Sequence, residues 1–428
     1  MPRRGIDPAE VRALIGTRTS GHRLKALGAV IAAMALLATT ATVASAASPL
    51  KHAPDPTWQT NGKVRAVAFS PDGTTVYIAG EFSAVRPPGA ALGNKEVTRR
   101  NAAAFDVSSG KLLRWNPHPD GEVWTLAVGP SGSRVFLGGE FTHVRGRQRV
   151  HVAAVTAASG KPTKFKASTG GRVETLLPTR KRLYVGGQFG EVNGVRHGRI
   201  AALRAATGKL VTSFKTQVTQ YTNASCPPRC VPVVASLALS KGTLFIGGHF
   251  GLINGVNRNN VGAVDAGTGS HLRKWNPNVF HNNTSNPNQK NTVYQILPHG
   301  THVYICGDFN YVGGTVHPNI ASTFRGNGGI DKAFKGSDDG GTQACVIRGG
   351  VLYLGGHFQL IDGTARSHIG AVDLQTGALD PWSPGANSAR GIHAFDVHGP
   401  AGSFRLVVGG EFTRIGGVSQ QGFAKFSP

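Results

Sequence analysis

Arg65, Trp124, Glu174, Tyr294, Gln343 and His393 each stand second in a short apolar run, and Ala235 holds the same place in a seventh. A guanidinium, an indole, a carboxylate, a phenol, an amide and an imidazole are groups that hold a polar ligand or, with acid and base matched, cleave one. A second polar set is the x of a recurring Gly-Gly-x-Phe: Glu81, Glu140, Gln188, His249, Asp308, His357 and Glu411. Polarity at all seven predicts a repeated hydrogen bond to backbone, and His249, Asp308 and His357 are the trio from which a metal site could be assembled. The chain lacks G-x-S-x-G, H-E-x-x-H, a phosphate-binding loop and an EF-hand ladder, so no catalytic residue, metal or cofactor is assigned.

The elements that must position these groups come from a repeat. Leu183-Tyr184-Val185-Gly186-Gly187-Gln188-Phe189 returns, with small changes, at Tyr77 to Phe82, Phe136 to Phe141, Phe245 to Phe250, Tyr304 to Phe309, Tyr353 to Phe358 and Val407 to Phe412. Each copy has an apolar run before it and another after it, then a small-residue turn such as Thr268-Gly269 and a large aromatic: Trp115, Phe165, Phe214, Trp275, Phe334 or Trp382. Four strand-like segments per unit, here a to d, at a period of about 50 residues predict an all-β, seven-bladed β-propeller with four-stranded blades. The expected blades are 64–117, 122–168, 171–217, 231–277, 291–336, 342–384 and 389–428. The last lacks its own strand d, and residues 55–60, with Trp58 in the aromatic place, are expected to complete it and close the ring.

Repetition itself argues that the Trp and Phe of strand d pack between blades and that the Gly pair admits a neighbouring backbone or a bulge. Asn193-Gly194, Asn254-Gly255 and Asp362-Gly363 are turn dipeptides. Function is sought where units differ. The connections Phe214 to Val234 and Trp275 to Val293 are lengthened, as is Phe82 to Asn101, and all three emerge on one face of a meander. Their polar side chains, Tyr221 and His281 among them, suit a glycan or another polar polymer, and the strand-a set would face a central channel.

Arg3, Arg4, Arg12, Arg18, Arg23 and Lys25, the uncharged run Ala26 to Ala38, and Ala44-Ser45-Ala46 form the pattern of a secretory signal over residues 1–46, leaving 47–428 as the mature chain. Retention as an uncleaved anchor is the alternative. The run falls short of the roughly 20 residues of a membrane span, so no stable span is expected after cleavage. The mature chain keeps 40 Lys and Arg against 20 Asp and Glu, with positive charge in every unit. Such a balance favours anionic surroundings, and export makes nucleic acid the least natural of them. Disulfides follow from export: Cys226 with Cys230 in a local bridge, and Cys306 with Cys345 across adjacent blades, two buried thiols being the alternative for the second pair.

The combined pattern of Leu-Tyr-Val-Gly-Gly-x-Phe, Val-Asn-Gly-x-x-Arg, Ile-Ala-Ala-Leu, Thr-Gly and Trp-Asn-Pro resembles the delta-60-type β-propeller repeats of secreted bacterial proteins. It is also similar to the Kelch-like repeats of fungal cortical polarity markers. The resemblance covers about residues 55–428 and implies a secreted or surface propeller with no catalytic residues to carry over. Asp265 to Trp275 and Asp373 to Trp382 look like the Asp-x-x-Thr-Gly-x-x-x-Trp docking motif of quinoprotein propellers, but the Asp-to-Trp spacing is too long and Gly-Gly-x-Phe is foreign to that group. The expected function is a monomeric, non-enzymatic binding module for a cell-wall polymer, acidic glycan or surface protein. A secreted hydrolase or lyase using Glu174, Tyr294 and His393 is the alternative, ahead of a quinone-dependent dehydrogenase.

Overall fold

A computed structural model describes residues 47–220, 231–280, 291–388 and 390–428. The signal segment, Tyr221, His281, Cys226 and Cys230 lie outside the described residues. The described chain is all β, with no helix, and so none long and apolar enough to cross a membrane. Seven antiparallel sheets of three strands, each in the order a-b-c, follow one another. They are Lys63–Phe69, Thr75–Glu81 and Ala102–Asp106; Val123–Val128, Arg134–Gly139 and Val152–Thr156; Val173–Pro178, Arg182–Gly187 and Ile200–Arg204; Val233–Ser240, Thr243–His249 and Val261–Asp265. The last three are Thr292–His299, His302–Asp308 and Ile320–Phe324; Thr342–Arg348, Val351–Gly356 and Ile369–Asp373; Ile392–His398, Arg405–Gly410 and Phe423–Phe426.

Strands b and c are apolar on both sides because each sheet is covered by a neighbour on either face. Val135, Leu137, Ala153 and Val155 of the second sheet share a core with Tyr77, Ala102 and Trp115 of the first. The strand-d aromatic is a repeated wedge. Tyr77 with Trp115, Phe136 with Phe165, Tyr184 with Phe214, Phe245 with Trp275, Tyr304 with Phe334 and Tyr353 with Trp382 all meet edge to face, a favoured geometry for aromatic quadrupoles.

Strand d itself differs from expectation. It survives only as single bridges to strand c, such as Phe105 with Leu112, Val264 with His271 and Val372 with Leu379. The chain leaves the ladder there in order to turn its aromatic side chain inward against the next sheet. Asp265 and Asp373 fix the preceding turn: their Oδ1 atoms accept from the backbone N–H and hydroxyl of Thr268 and Thr376. The b-to-c connection carries a two-stranded ribbon whose turn residues Asn193, Asn254 and Asp362 have φ of 52, 50 and 47°.

In every sheet the a-to-b register slips by one residue, between Val64 and Ala66, Val123 and Thr125, Val173 and Thr175, Val234 and Ser236, Val293 and Gln295, Thr342 and Ala344, and Ile392 and Ala394. Each slip is a bulge opposite the Gly pair. A Cβ on Gly187 would strike the Arg172 carbonyl oxygen, and one on Gly186 would reach within 2.5 Å of Val234 in the following sheet. Gly187→Ala is therefore expected to cost about 1–3 kcal/mol, as overpacking does. Gly194→Ala, where a Cβ meets nothing but φ is 77°, should cost about 1 kcal/mol; urea denaturation of the two variants compares them.

A residue with positive φ precedes strand c in each sheet, among them Asn101, Asn260 and Asn319 at 61, 62 and 64°. Their amides tie neighbouring units together. Asn319 Oδ1 accepts from Phe309 N at 3.0 Å while its Nδ2 donates to Asp338 O at 3.0 Å, and Asn101 links Phe82 with Pro119 and Gly121 in the same way. Cys306 of strand b in the fifth sheet and Cys345 of strand a in the sixth form a disulfide.

At the two ends, Lys51 N donates to Ser427 O at 3.0 Å and Asp55 N to Lys425 O at 2.7 Å. Trp58 stacks on Phe105 of the first sheet. Val407 and Phe423 of the seventh sheet share a core with Val64, Val67 and Ile78 of the first.

Candidate functional site

The bulge builds the site. The extra residue of each bulged pair is the one the repeat places second in strand a, and a bulge turns that side chain away from the alternation of its neighbours. Arg65, Trp124, Glu174, Ala235, Tyr294, Gln343 and His393 consequently line one cavity of about 380 Å³. Seven units contribute one residue each, so no two of these side chains come from the same sheet.

Inside it the polar groups hold one another. Arg172 donates to Glu174 Oε1 through Nε at 3.0 Å and Nη2 at 2.7 Å, and Gln188 Nε2 adds a third bond at 2.9 Å. Burial nevertheless pushes the Glu174 carboxyl above its ordinary value, with the Arg172 charge opposing. Arg172 also bonds Glu140 at 2.9 Å. On the far side of Trp124 in chain order, Arg65 pairs with Glu122 at 2.9 Å, and Lys63 with Glu81 at 2.6 Å. Both guanidiniums lie over the Trp124 ring, Arg172 at 3.9 Å and Arg65 at 4.5 Å from its centroid, a cation–π arrangement favoured by a desolvated site.

His393 Nδ1 is 2.9 Å from Gln343 Oε1, and its Nε2 is 3.2 Å from Glu411 Oε1 and 3.4 Å from Arg65 Nη1. Burial pushes its pKa down, with help from the Arg65 charge and against the Glu411 hydrogen bond, so the ring is neutral at pH 7. A neutral ring carries one proton, which it donates either through Nδ1 to Gln343 Oε1 or through Nε2 to Glu411 Oε1. Tyr294 is pushed up to about 12 by burial and by the Asp308 and Glu174 charges, which keeps its phenol protonated.

The sequence therefore placed six chemistry-bearing residues in one cavity, while Tyr221 and His281 lie outside the described residues. It missed Lys63, Glu122 and Arg172, which stand one place before the buried strand-a residue and supply most of the ion pairs. The Gly-Gly-x-Phe set does not share a backbone hydrogen bond as expected. Glu81, Gln188 and Glu411 instead bond side chains of strand a, and Glu140 bonds Arg172, just before it. His249 Nδ1 does bond a backbone oxygen, that of Asn291, at 2.8 Å. Among the described residues no three His, Cys, Asp or Glu converge as metal ligands, so His249, Asp308 and His357 are not brought together.

No family description matches the chain, and no curated protein does. Among solved structures it is similar to U3-55K, at 14% identity over 87% of this chain and 100% of that one, with a TM-score of 0.51. The WD40 repeats of RRP9 align over 87% of this chain and 98% of theirs at 12% identity and a TM-score of 0.49. The computationally designed Ika8 protein aligns over the same shares at 14% identity and 0.48. Identity this low speaks to fold alone. The chain is an all-β protein of the β-propeller class.

Proposed function

We propose that this protein is a secreted, monomeric, seven-bladed propeller that acts as a non-enzymatic binding module for an anionic cell-wall polymer or acidic glycan. Seven a-b-c sheets support the blade count, and the pairing of residues 51–55 with the last strand supports closure of the ring by the N-terminal segment. The delta-60-type resemblance, the signal pattern and the Cys306–Cys345 bridge support export. The observation that carries the absence of catalysis is the state of the cavity. Glu174 accepts three donors on one oxygen, and both His393 nitrogens face protein partners, so neither is poised as a base toward a substrate. Asp265 and Asp373 are spent on their own turns, which disfavours quinone docking.

The test is retention of the purified protein on isolated cell wall and acidic polysaccharide across a salt series, followed by measurement of polymer length. Saturable, salt-sensitive retention with intact polymer is expected. Shortened polymer would replace this reading with a hydrolase or lyase working at Glu174, Tyr294 and His393, and His393→Ala would then abolish cleavage.

A further inference from the structure

Lys and Arg occur in every unit, but the net charge is uneven. Residues 141–264, which hold strand c of the second sheet, the third sheet and all but the last residue of the fourth, contain eighteen Lys and Arg against two acids, Glu174 and Glu191. Residues 47–140 carry ten against eight, and 265–428 twelve against ten. Nearly all of the excess therefore sits in one sector, and Glu174 there is already neutralised by Arg172.

Twelve of the seventeen described cations among them are exposed, and none of the twelve makes an ion pair among the described residues. By contrast the largely buried channel cations Lys63, Arg65 and Arg172 are all paired. A polyanion gains little from displacing an existing carboxylate and more from meeting a bare cation.

We propose that an acidic polysaccharide seats on the outer edge of sheets two to four, in the groove formed by Arg147, Arg149, Lys166 and Asn193, and not over the channel. This inference rests on the binding-module reading and assigns its surface. The groove encloses about 670 Å³ and has no acid in its lining. It lies between the ribbon after strand b of the second sheet and the corresponding turn of the third. Arg145 and Arg147 come from the first of these and Arg196 from the second. Arg149 is buried, its guanidinium held by the Gln148 and Thr163 carbonyls, while Arg147 beside it is exposed and lowers the Arg149 pKa further than burial alone. An anionic group between them relieves that repulsion.

The cations continue around the edge. Lys164 and Lys166 lie on the outer segment, and Arg180, Lys181 and Lys209 lie on turns at the opposite face. A planar bilayer could touch only one of these faces at a time, whereas a flexible chain of carboxylates can follow all of them. That geometry favours a polymer over a lipid surface.

The test compares two triple variants with the same loss of charge. Arg147→Gln/Lys166→Gln/Arg196→Gln lies in the sector, and Lys111→Gln/Lys332→Gln/Lys335→Gln replaces exposed lysines elsewhere. Binding to polygalacturonate is measured at several salt concentrations beside vesicles of phosphatidylglycerol. The sector triple is expected to bind polygalacturonate roughly tenfold to a hundredfold more weakly, with a shallower salt slope, and the other triple to match the unaltered protein. Equal losses from both triples, or tighter binding to vesicles than to polymer, would overturn the assigned surface while leaving the binding module intact. No binding by the unaltered protein at any salt would overturn both.

Discussion

Arg172→Ala is expected to lower the folding free energy by about 3–5 kcal/mol at neutral pH, the cost of stranding a buried charge. The side chains are 20% exposed for Arg172 and 14% for Glu174, so solvent cannot replace the lost partner. Arg172 donates two bonds to Glu174 and one to Glu140 while covering Trp124, and removing it leaves Gln188 as the remaining donor to Glu174. The pH dependence has a definite sign. Burial already raises the Glu174 carboxyl above its ordinary 4.5, and loss of Arg172 raises it further. A carboxyl whose pKa is higher folded than unfolded favours folding below the unfolded value, and that contribution is lost as pH rises through the folded value. The deficit of the variant is thus greatest near neutrality, shrinks as pH falls through the folded values of the two proteins, both above 4.5, and is least below 4.5, where Glu174 is protonated in both. Urea denaturation of both proteins across that range measures it. A deficit independent of pH would show that packing on Trp124, not the carboxylate, is what Arg172 supplies. Arg172→Met/Glu174→Gln should recover most of the loss, since it removes both charges together.

The propeller was legible in the sequence because its repeat is enforced by sterics that recur in every unit. The second Gly of each pair faces strand-a backbone and the strand-d aromatic fills the space to the next sheet, so neither can drift. The same pattern exposed the cavity residues, since a place that must be apolar for packing would not hold Arg65, Glu174 and His393 in turn. What the sequence did not reveal is how those residues are satisfied. Lys63, Glu122 and Arg172 read as ordinary charges at the start of a strand, and only the folded sheets set them against Glu81, Arg65 and Glu174. Strand d was read as a full strand because its apolar and aromatic residues resemble one. The structure keeps a single bridge there, as the aromatic's inward turn competes with the ladder. The basic sector escaped notice for another reason: a run of like charge is easy to see, but the lack of acids across 192–264 matters only once the third and fourth sheets place those residues side by side.

The Cys306–Cys345 disulfide is expected to contribute about 4 kcal/mol, because its ends are 39 residues apart and closing a loop of that length removes entropy from the unfolded chain. Both cysteines are buried, at 0% and 5% exposure, among Tyr304, Leu352, Leu354 and Phe358. The bridge therefore crosses the core between the fifth and sixth sheets, and a thiol-to-methyl exchange there costs little packing by comparison. The informative pair of measurements is the urea midpoint of the native protein with and without reductant beside that of Cys306→Ala/Cys345→Ala. The double variant and the reduced protein should fall together, well below the oxidised protein, and the variant should ignore reductant. A reduced protein as stable as the oxidised one would mean that the fifth and sixth sheets hold together by packing alone. A cytosolic glutathione poise keeps most such pairs reduced, so a fold that draws this much stability from one bridge holds its full margin only in an oxidising environment. A large loss on reduction would thus tie the proposed export of the chain to the stability of its own core.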